Sequence, residues 1–440
     1  MSNGLLLPER AGWSLARDVP SAATPAVITW VDRFIGDRLQ RLLEPVGLRF
    51  ELWDGSSIWP SDVSPVATIT ARNRRALFGM AFNPDLRFGE DYMSARLEVE
   101  GDLERVAEAI SRLPASERLS LREWLALRFP HANTRRAAAG NVHHHYDLGN
   151  DFYRLWLDDQ LVYTCAYFPQ RGATLEDAQV AKMDLVCRKL RLQPGERVLE
   201  AGCGWGALAL HMARSYGVRV TAYNISREQL AYARDRAARE GLADRVEFLE
   251  GDYRTAAGTF DVFVSVGMLE HVGRRHYPTL ADVIRRTLHP AHGRGLLHFI
   301  GRDRPRPLNA WIRRRIFPGA HPPALSELQR PVFERADLTV HDVENLRLHY
   351  AQTLHHWRTR FESAERQVKD LFGEPFFRAW HLYLAGSEAA FVTGTLQLFQ
   401  VVFAPATATP PYWTRRDAFG TVPPRPSGGD TEAACSAATF

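Results

Sequence analysis

The chain has 440 residues, 45% hydrophobic and 24% charged, with a net charge of +4, a make-up that suits a globular protein of two or three domains. No run approaches the ~18 apolar residues of a membrane-spanning helix, and Met1–Ser14 lacks a long apolar core, so no secretory signal is expected. Four cysteines (Cys165, Cys187, Cys203, Cys435) have neither paired nor metal-type spacing, which argues against a disulfide framework or a zinc site and fits a reducing, cytoplasmic setting.

Residues 1–25 read as a polar, proline-punctuated lead-in. A helix is expected from Val27, with Val31, Phe34, Ile35, Leu39, Leu42 and Leu43 on one face and Pro45 with Gly47 as its stop. Strand-like runs follow at Leu48–Trp53, Val66–Ala71 and Arg96–Glu100, and Asp102 can cap a helix running to about Leu113. Residues 26–113 thus form a small α+β domain, and 114–140 a linker.

Over 141–405 strands and helices alternate, which implies a parallel sheet. Strands fit Arg197–Ala201, Val218–Asn224, Val246–Glu250, Phe260–Gly267, Gly295–Ile300, Leu338–Val343 and Leu398–Phe403. Helices fit 174–190, 207–216, 226–241, 275–288 and a long region 350–393 interrupted near Gly373. An arginine- and proline-rich insertion occupies 302–331, and residues 406–440 have little to bury, the composition of a disordered tail.

Ligands of such sheets bind beyond the carboxyl ends of the strands. There Arg197-Val-Leu-Glu-Ala-Gly-Cys-Gly-Trp-Gly206 ends a strand in G-x-G-x-G, with Gly202, Gly204 and Gly206 turning the chain into a helix N-terminus. A dinucleotide site prefers G-x-G-x-x-G and an acidic residue closing the second strand, which here ends in Tyr223-Asn224. The spacing suits one adenosyl group, with Asp252 after the third strand placed to accept from an adenine amino group. Glu270 follows the carboxyl end of the Phe260–Gly267 strand, and His298 sits between Leu297 and Phe299. The run His143-His144-His145 cannot share one face, so no metal site is expected. Neither an extended basic stripe nor an Asn-Pro-Pro-aromatic motif is present, which argues against nucleic acid as a partner.

Five segments carry a family resemblance: His144-His-Tyr-Asp-Leu-Gly-Asn150, Tyr163-Thr-Cys-Ala-Tyr-Phe168, Leu199-Glu-Ala-Gly-Cys-Gly-Trp-Gly206, Ser265-Val-Gly-Met-Leu-Glu-His-Val-Gly273 and Leu297-His-Phe-Ile-Gly301. In this order the chain resembles the cyclopropane-fatty-acyl-phospholipid synthases, S-adenosylmethionine-dependent methyltransferases related to the mycolic acid cyclopropane synthases. The resemblance covers roughly 140–405 and implies a Rossmann-like class I methyltransferase sheet behind the small N-terminal domain. It implies that Tyr146 belongs to a segment closing over the cofactor and that Gly202 and Gly204 approach its methionine part. Asn224 and Gln229 would lie at the ribose, and Asp252 and Tyr253 at the adenine. It further implies a bicarbonate ion held by Cys165, Glu270, His298, Ile300 and Tyr350. Glu200 stands where aspartate is common, and Asn224 where threonine is common, which bears on cofactor affinity.

The expected reaction methylates the cis alkene of a phospholipid acyl chain and closes a cyclopropane ring. Its alternatives are a methylene- or methyl-branched product, or a non-catalytic lipid-binding protein on the same scaffold. The N-terminal domain is expected to bind lipid or a second copy in a homodimer. The 302–315 arginines are the candidate for a headgroup- and membrane-facing surface, on a protein peripherally associated with the inner face of the membrane.

Overall fold

The computed structural model describes residues 27–60, 62–113 and 148–416. Tyr146, the three adjacent histidines, the expected linker and residues 417–440 lie outside them. The first layer runs α1 (Trp30–Leu43), β1 (Leu48–Glu51), β2 (Ala67–Ala71), α2 (Arg74–Phe82), α3 (Pro84–Met93), β3 (Leu97–Glu100) and α4 (Leu103–Ser111). Thr29 and Asp32 form a capping box that starts α1. β1 pairs parallel with β2, and β2 antiparallel with β3. Leu48, Phe50, Ile69, Leu77, Leu97 and Val106 form the core of this layer. Phe34 and Leu42 depart from the expected core face: each is 55% exposed, whereas Leu43 is buried in the core of this layer and Ile35 and Leu39 pack against it.

The second layer is a seven-stranded sheet in the order β6-β5-β4-β7-β8-β10-β9. Its strands are β4 (Arg197–Ala201), β5 (Arg219–Asn224), β6 (Val246–Glu250), β7 (Val262–Val266), β8 (Arg294–Gly301), β9 (Leu338–Asn345) and β10 (Gln397–Pro405). β4 to β8 are parallel, whereas β10 runs antiparallel to both its neighbours. The helices before the insertion are α5 (Asn150–Arg154), α6 (Leu175–Lys189), α7 (Ala207–Tyr216), α8 (Arg227–Arg239), α9 (Leu269–Val272) and α10 (Tyr277–Thr287). After β8 come α11 (Ala310–Arg315), α12 (Ser326–Leu328), α13 (Arg347–Ser363), α14 (Glu365–Phe372) and α15 (Glu374–Thr393).

The two layers are locked together. α15 packs on α3 and α4, and Arg378 donates to the carbonyls of Tyr92 (2.6 Å) and Leu97 (3.1 Å) while its guanidinium lies 4.2 Å above the Tyr92 ring. The insertion joins them from the other side. The Trp311 indole lies flat on Gly89, where a Cβ would stand 2.4 Å from the ring, and Arg315 makes two 2.7 Å bonds to Glu90. Arg315 is therefore committed to the N-terminal layer, which alters the expectation of a wholly outward-facing arginine cluster. The expected loose tail is also tied down at its start: Ala406 N–H donates to Asp337 O at 2.9 Å, and Arg415 pairs with the buried Asp342.

Candidate active site

The glycine turn leaves β4 with positive φ at Gly202 (85°), Gly204 (53°) and Gly206 (82°). Gly202 and Gly204 line a cavity of about 190 Å³ together with Asn224, Gln229, Asp252 and Tyr253. Gly206 does not line it. A Cβ there would meet Phe248 at 2.7 Å and Ala233 at 2.9 Å, so this glycine lets α7 pack against its neighbours. Asn224 braces the turn: its Nδ2 donates to Gly204 O (3.1 Å) and Gln229 Oε1 (2.8 Å), and its Oδ1 accepts from Ile225 N (2.7 Å). Asp252, expected to face an adenine amino group, is held by Arg254 through Nε (2.8 Å) and Nη2 (2.5 Å).

Cys165, Glu270, His298, Ile300 and Tyr350 all line a second, larger cavity of about 580 Å³. Tyr163, Thr164, Gly267 and His271 border both cavities, so the two meet there. Away from Glu270 and His298 the larger cavity is mostly apolar, with walls from both layers that include Leu39, Met80, Phe88, Trp311, Leu354 and Phe391, though Asp85, Arg302 and Asn309 also line it.

Burial sets the chemistry at Glu270 and His298. Glu270 Oε1 accepts from Ile300 N–H at 2.8 Å, while its Oε2 is buried without a partner, and exclusion from water pushes the carboxyl up to about 7. The Ile300 N–H is thus already engaged. His298 Nδ1 accepts from Gln400 Nε2 at 3.1 Å, and Gln400 Oε1 accepts from Lys189 Nζ at 2.7 Å. That relay fixes the amide orientation and leaves the imidazole proton on Nε2, which is buried and without a partner. Burial, with Lys182 and Lys189 behind it, holds His298 well below its ordinary range, so the ring is neutral. The Cys165 thiol donates to Ala166 O at 3.1 Å, and burial pushes its pKa up, so it is no nucleophile. A Glu270 oxygen and a His298 N–H, both unpartnered, fit a small group that donates to the first and accepts from the second.

Several residues here carry no sequence motif. Lys182 is buried on α6, lines the smaller cavity and donates to Thr164 Oγ1 at 2.9 Å. Burial brings it down to about 8 and lifts the neighbouring Glu200 to about 8. Gln179, one turn earlier, donates to the carbonyls of Val162 (3.2 Å) and Thr164 (2.8 Å), holding the segment that divides the cavities. The signal was present as polar residues, Gln179, Lys182 and Lys189, at helical spacing on a buried face.

Comparison with known proteins decides the class. Residues 133–401 match the family described as mycolic acid cyclopropane synthetase. The chain belongs to this family. It is an S-adenosylmethionine-dependent methyltransferase with the class I fold. Residues 39–117 match a family described as a domain of unknown function. The methyltransferase is 37% identical to a "Probable fatty acid methyltransferase" of Pseudomonas putida, over 84% of this chain and 96% of that protein. It is 41% identical to the cyclopropane-fatty-acyl-phospholipid synthase of Escherichia coli K12, over 59% of this chain and 66% of that protein. Among solved structures it resembles the cyclopropane synthase MmaA2 from Mycobacterium tuberculosis, with 30% identity and a TM-score of 0.57 over 60% of this chain and 98% of the other. A structure of mycolic acid cyclopropane synthase CmaA1 complexed with SAH and CTAB matches at 32% identity, TM-score 0.57, over 60% and 97%.

Proposed function

We propose that this methyltransferase adds a methylene group from S-adenosylmethionine across the cis double bond of a phospholipid acyl chain, giving a cyclopropane fatty acid. The observation that carries the reading is the largely apolar cavity of about 580 Å³ that holds Glu270 and His298 and meets the glycine-turn cavity. Gly202, Gly204, Asn224, Gln229, Asp252 and Tyr253 are the residues that would hold the cofactor, with Tyr146 as a further candidate. When bound, S-adenosylmethionine supplies an electrophilic methyl group.

The walls then do most of the work. An alkene is a weak nucleophile, so the cavity must hold the double bond in line with the methyl group. Attack would form a carbon–carbon bond as the methyl carbon–sulfur bond of the donor breaks, and would leave a cation on the adjacent chain carbon, which Tyr163, Phe317, Tyr350 and Tyr383 can face with aromatic rings in a largely apolar cavity. Loss of a proton from the new methyl closes the ring. Glu270 and His298 would hold a bicarbonate ion through their unpartnered atoms, with Cys165, Ile300 and Tyr350 lining the space around it, and the ion would supply a proton acceptor at that spot.

The same reading includes peripheral contact with the membrane. No helix among the described residues is long and apolar enough to cross a bilayer. α1 instead turns Trp30, Phe34 and Leu42 outward, interleaved with the exposed Arg33, Arg38 and Arg41, a pattern suited to an anionic interface. The reaction is tested by expressing the protein in a host rich in monounsaturated phospholipids and analysing fatty acids by mass spectrometry. Cyclopropane products support the proposal; methylene or methyl branches replace its last step, in keeping with the name of the Pseudomonas relative; lipids with no added carbon overturn it.

A further inference from the structure

β8 delivers one more charged group to the larger cavity. His298, Ile300 and Arg302 are alternate residues and all three line it, as same-face positions of an extended chain do. A bridge to Ala324 and the bond from Arg302 N–H to Pro323 O (3.0 Å) keep the chain extended beyond the end of the strand. Arg302 thus lies about 13 Å along the chain from His298, at ~3.3 Å per residue.

The Arg302 side chain is buried, 8% exposed, and its Nε has no partner. No carboxylate of the described residues comes within 4.0 Å of it. The acidic groups that act on it through space are engaged elsewhere. Asp303 pairs with Arg304 (3.5 Å), Asp85 accepts from Asn309 Nδ2 and Ala310 N (2.9 Å), and Glu327 pairs with Arg274 (2.9 Å) and His321 (3.2 Å). Arg306 adds a second positive charge nearby. An uncompensated guanidinium in an apolar wall is costly unless something anionic arrives to pair with it, and its planar fork of donors matches an oxyanion.

We propose that Arg302 receives the anionic group of the lipid that fills this cavity, a phosphodiester or a carboxylate, and so sets how far the acyl chain enters relative to Glu270 and His298. The proposal rests on the lipid reading above. It places an anion-binding residue at the start of the insertion, inside the cavity rather than on an outer membrane-facing surface.

Arg302→Met and Arg302→Lys of the full-length protein test this. Methyl transfer to dioleoyl phosphatidylglycerol vesicles and to free oleate is followed as lipid concentration is varied, and ligand-free thermal midpoints are recorded. Arg302→Met should raise KM about tenfold or more, as expected for loss of charged hydrogen bonds, with a smaller effect on kcat. Its midpoint should equal or exceed that of the parent, and Arg302→Lys should recover much of the loss. A KM defect confined to vesicles assigns a phosphodiester, and one confined to oleate a carboxylate. An unchanged KM with both lipids overturns the proposal, as does a lowered midpoint with kcat and KM damaged alike, which marks a structural residue. A parent protein that methylates neither lipid rejects the lipid reading instead; binding of the same vesicles and oleate, read by tryptophan fluorescence, then decides Arg302 separately, and equal binding by parent and Arg302→Met overturns it.

Discussion

Burial is what sets Glu270 and His298 apart: each keeps an unpartnered polar atom, and each titrates away from its ordinary range. The Glu270 carboxyl sits at about 7 instead of 4.5, so the folded protein keeps a proton that the unfolded chain releases between those values. Its contribution to stability therefore falls as pH rises through that window. Glu270→Gln keeps an acceptor for Ile300 N–H and removes the titration. The variant should match the parent near pH 4.5 and be more stable by roughly 3 kcal/mol at pH 8, with S-adenosylmethionine binding retained and turnover down ~100-fold or more. Denaturant melts across pH and product yields check both; a stability difference flat with pH, or near-normal yield, rejects this account. Glu270 and His298 were legible because strand ends are where sheet ligands bind. Gln400 was not: it reaches His298 only through the antiparallel pairing of β10 with β8, across 102 positions of sequence, which no local pattern encodes.

The glycine turn separates two roles within three residues. A Cβ on Gly204 would meet nothing within 4 Å, whereas one on Gly206 would collide with Phe248 and Ala233. Gly206→Ala, strained at φ 82° and overpacked, should lose about 1–3 kcal/mol while the folded fraction binds S-adenosylmethionine almost normally. Gly204→Ala should show the reverse balance, since its new methyl projects toward the cavity that Gly204 lines. Calorimetric titration and thermal melts separate the two, and equal losses in both variants would falsify the division. The motif was readable as a ligand turn, but only the packing of α7 shows that its third glycine stands off the cavity. The α/β rhythm of the second layer was equally readable, because buried parallel strands alternate with capped helices. α2 and α3 were missed where Gly79, Pro84 and Gly89 interrupt the apolar pattern; Asn73 caps the first helix and Pro84 restarts the second.

At the scale of the whole molecule, the N-terminal layer supplies walls of the larger cavity and also carries the outward stripe of α1. Val27 and Trp30 are 86% and 79% exposed, and the Arg38 guanidinium lies 5.9 Å over the Phe34 ring. Leu42 belongs both to this face and to the cavity wall. A bilayer meeting α1 would therefore sit beside the space where an acyl chain is proposed to react. Aromatic side chains gain from the headgroup boundary and arginines from anionic lipid. Trp30→Ser with Phe34→Ser should then lower co-sedimentation with phosphatidylglycerol vesicles severalfold, and added salt should weaken what binding remains. Folding stability should change by no more than ~0.5 kcal/mol per site, since neither ring is in the core. Activity on detergent-dispersed lipid should persist, because neither residue lines either cavity. If the double variant binds vesicles like the parent but loses a dimer seen by light scattering, α1 joins two copies of the chain and the membrane surface must lie elsewhere.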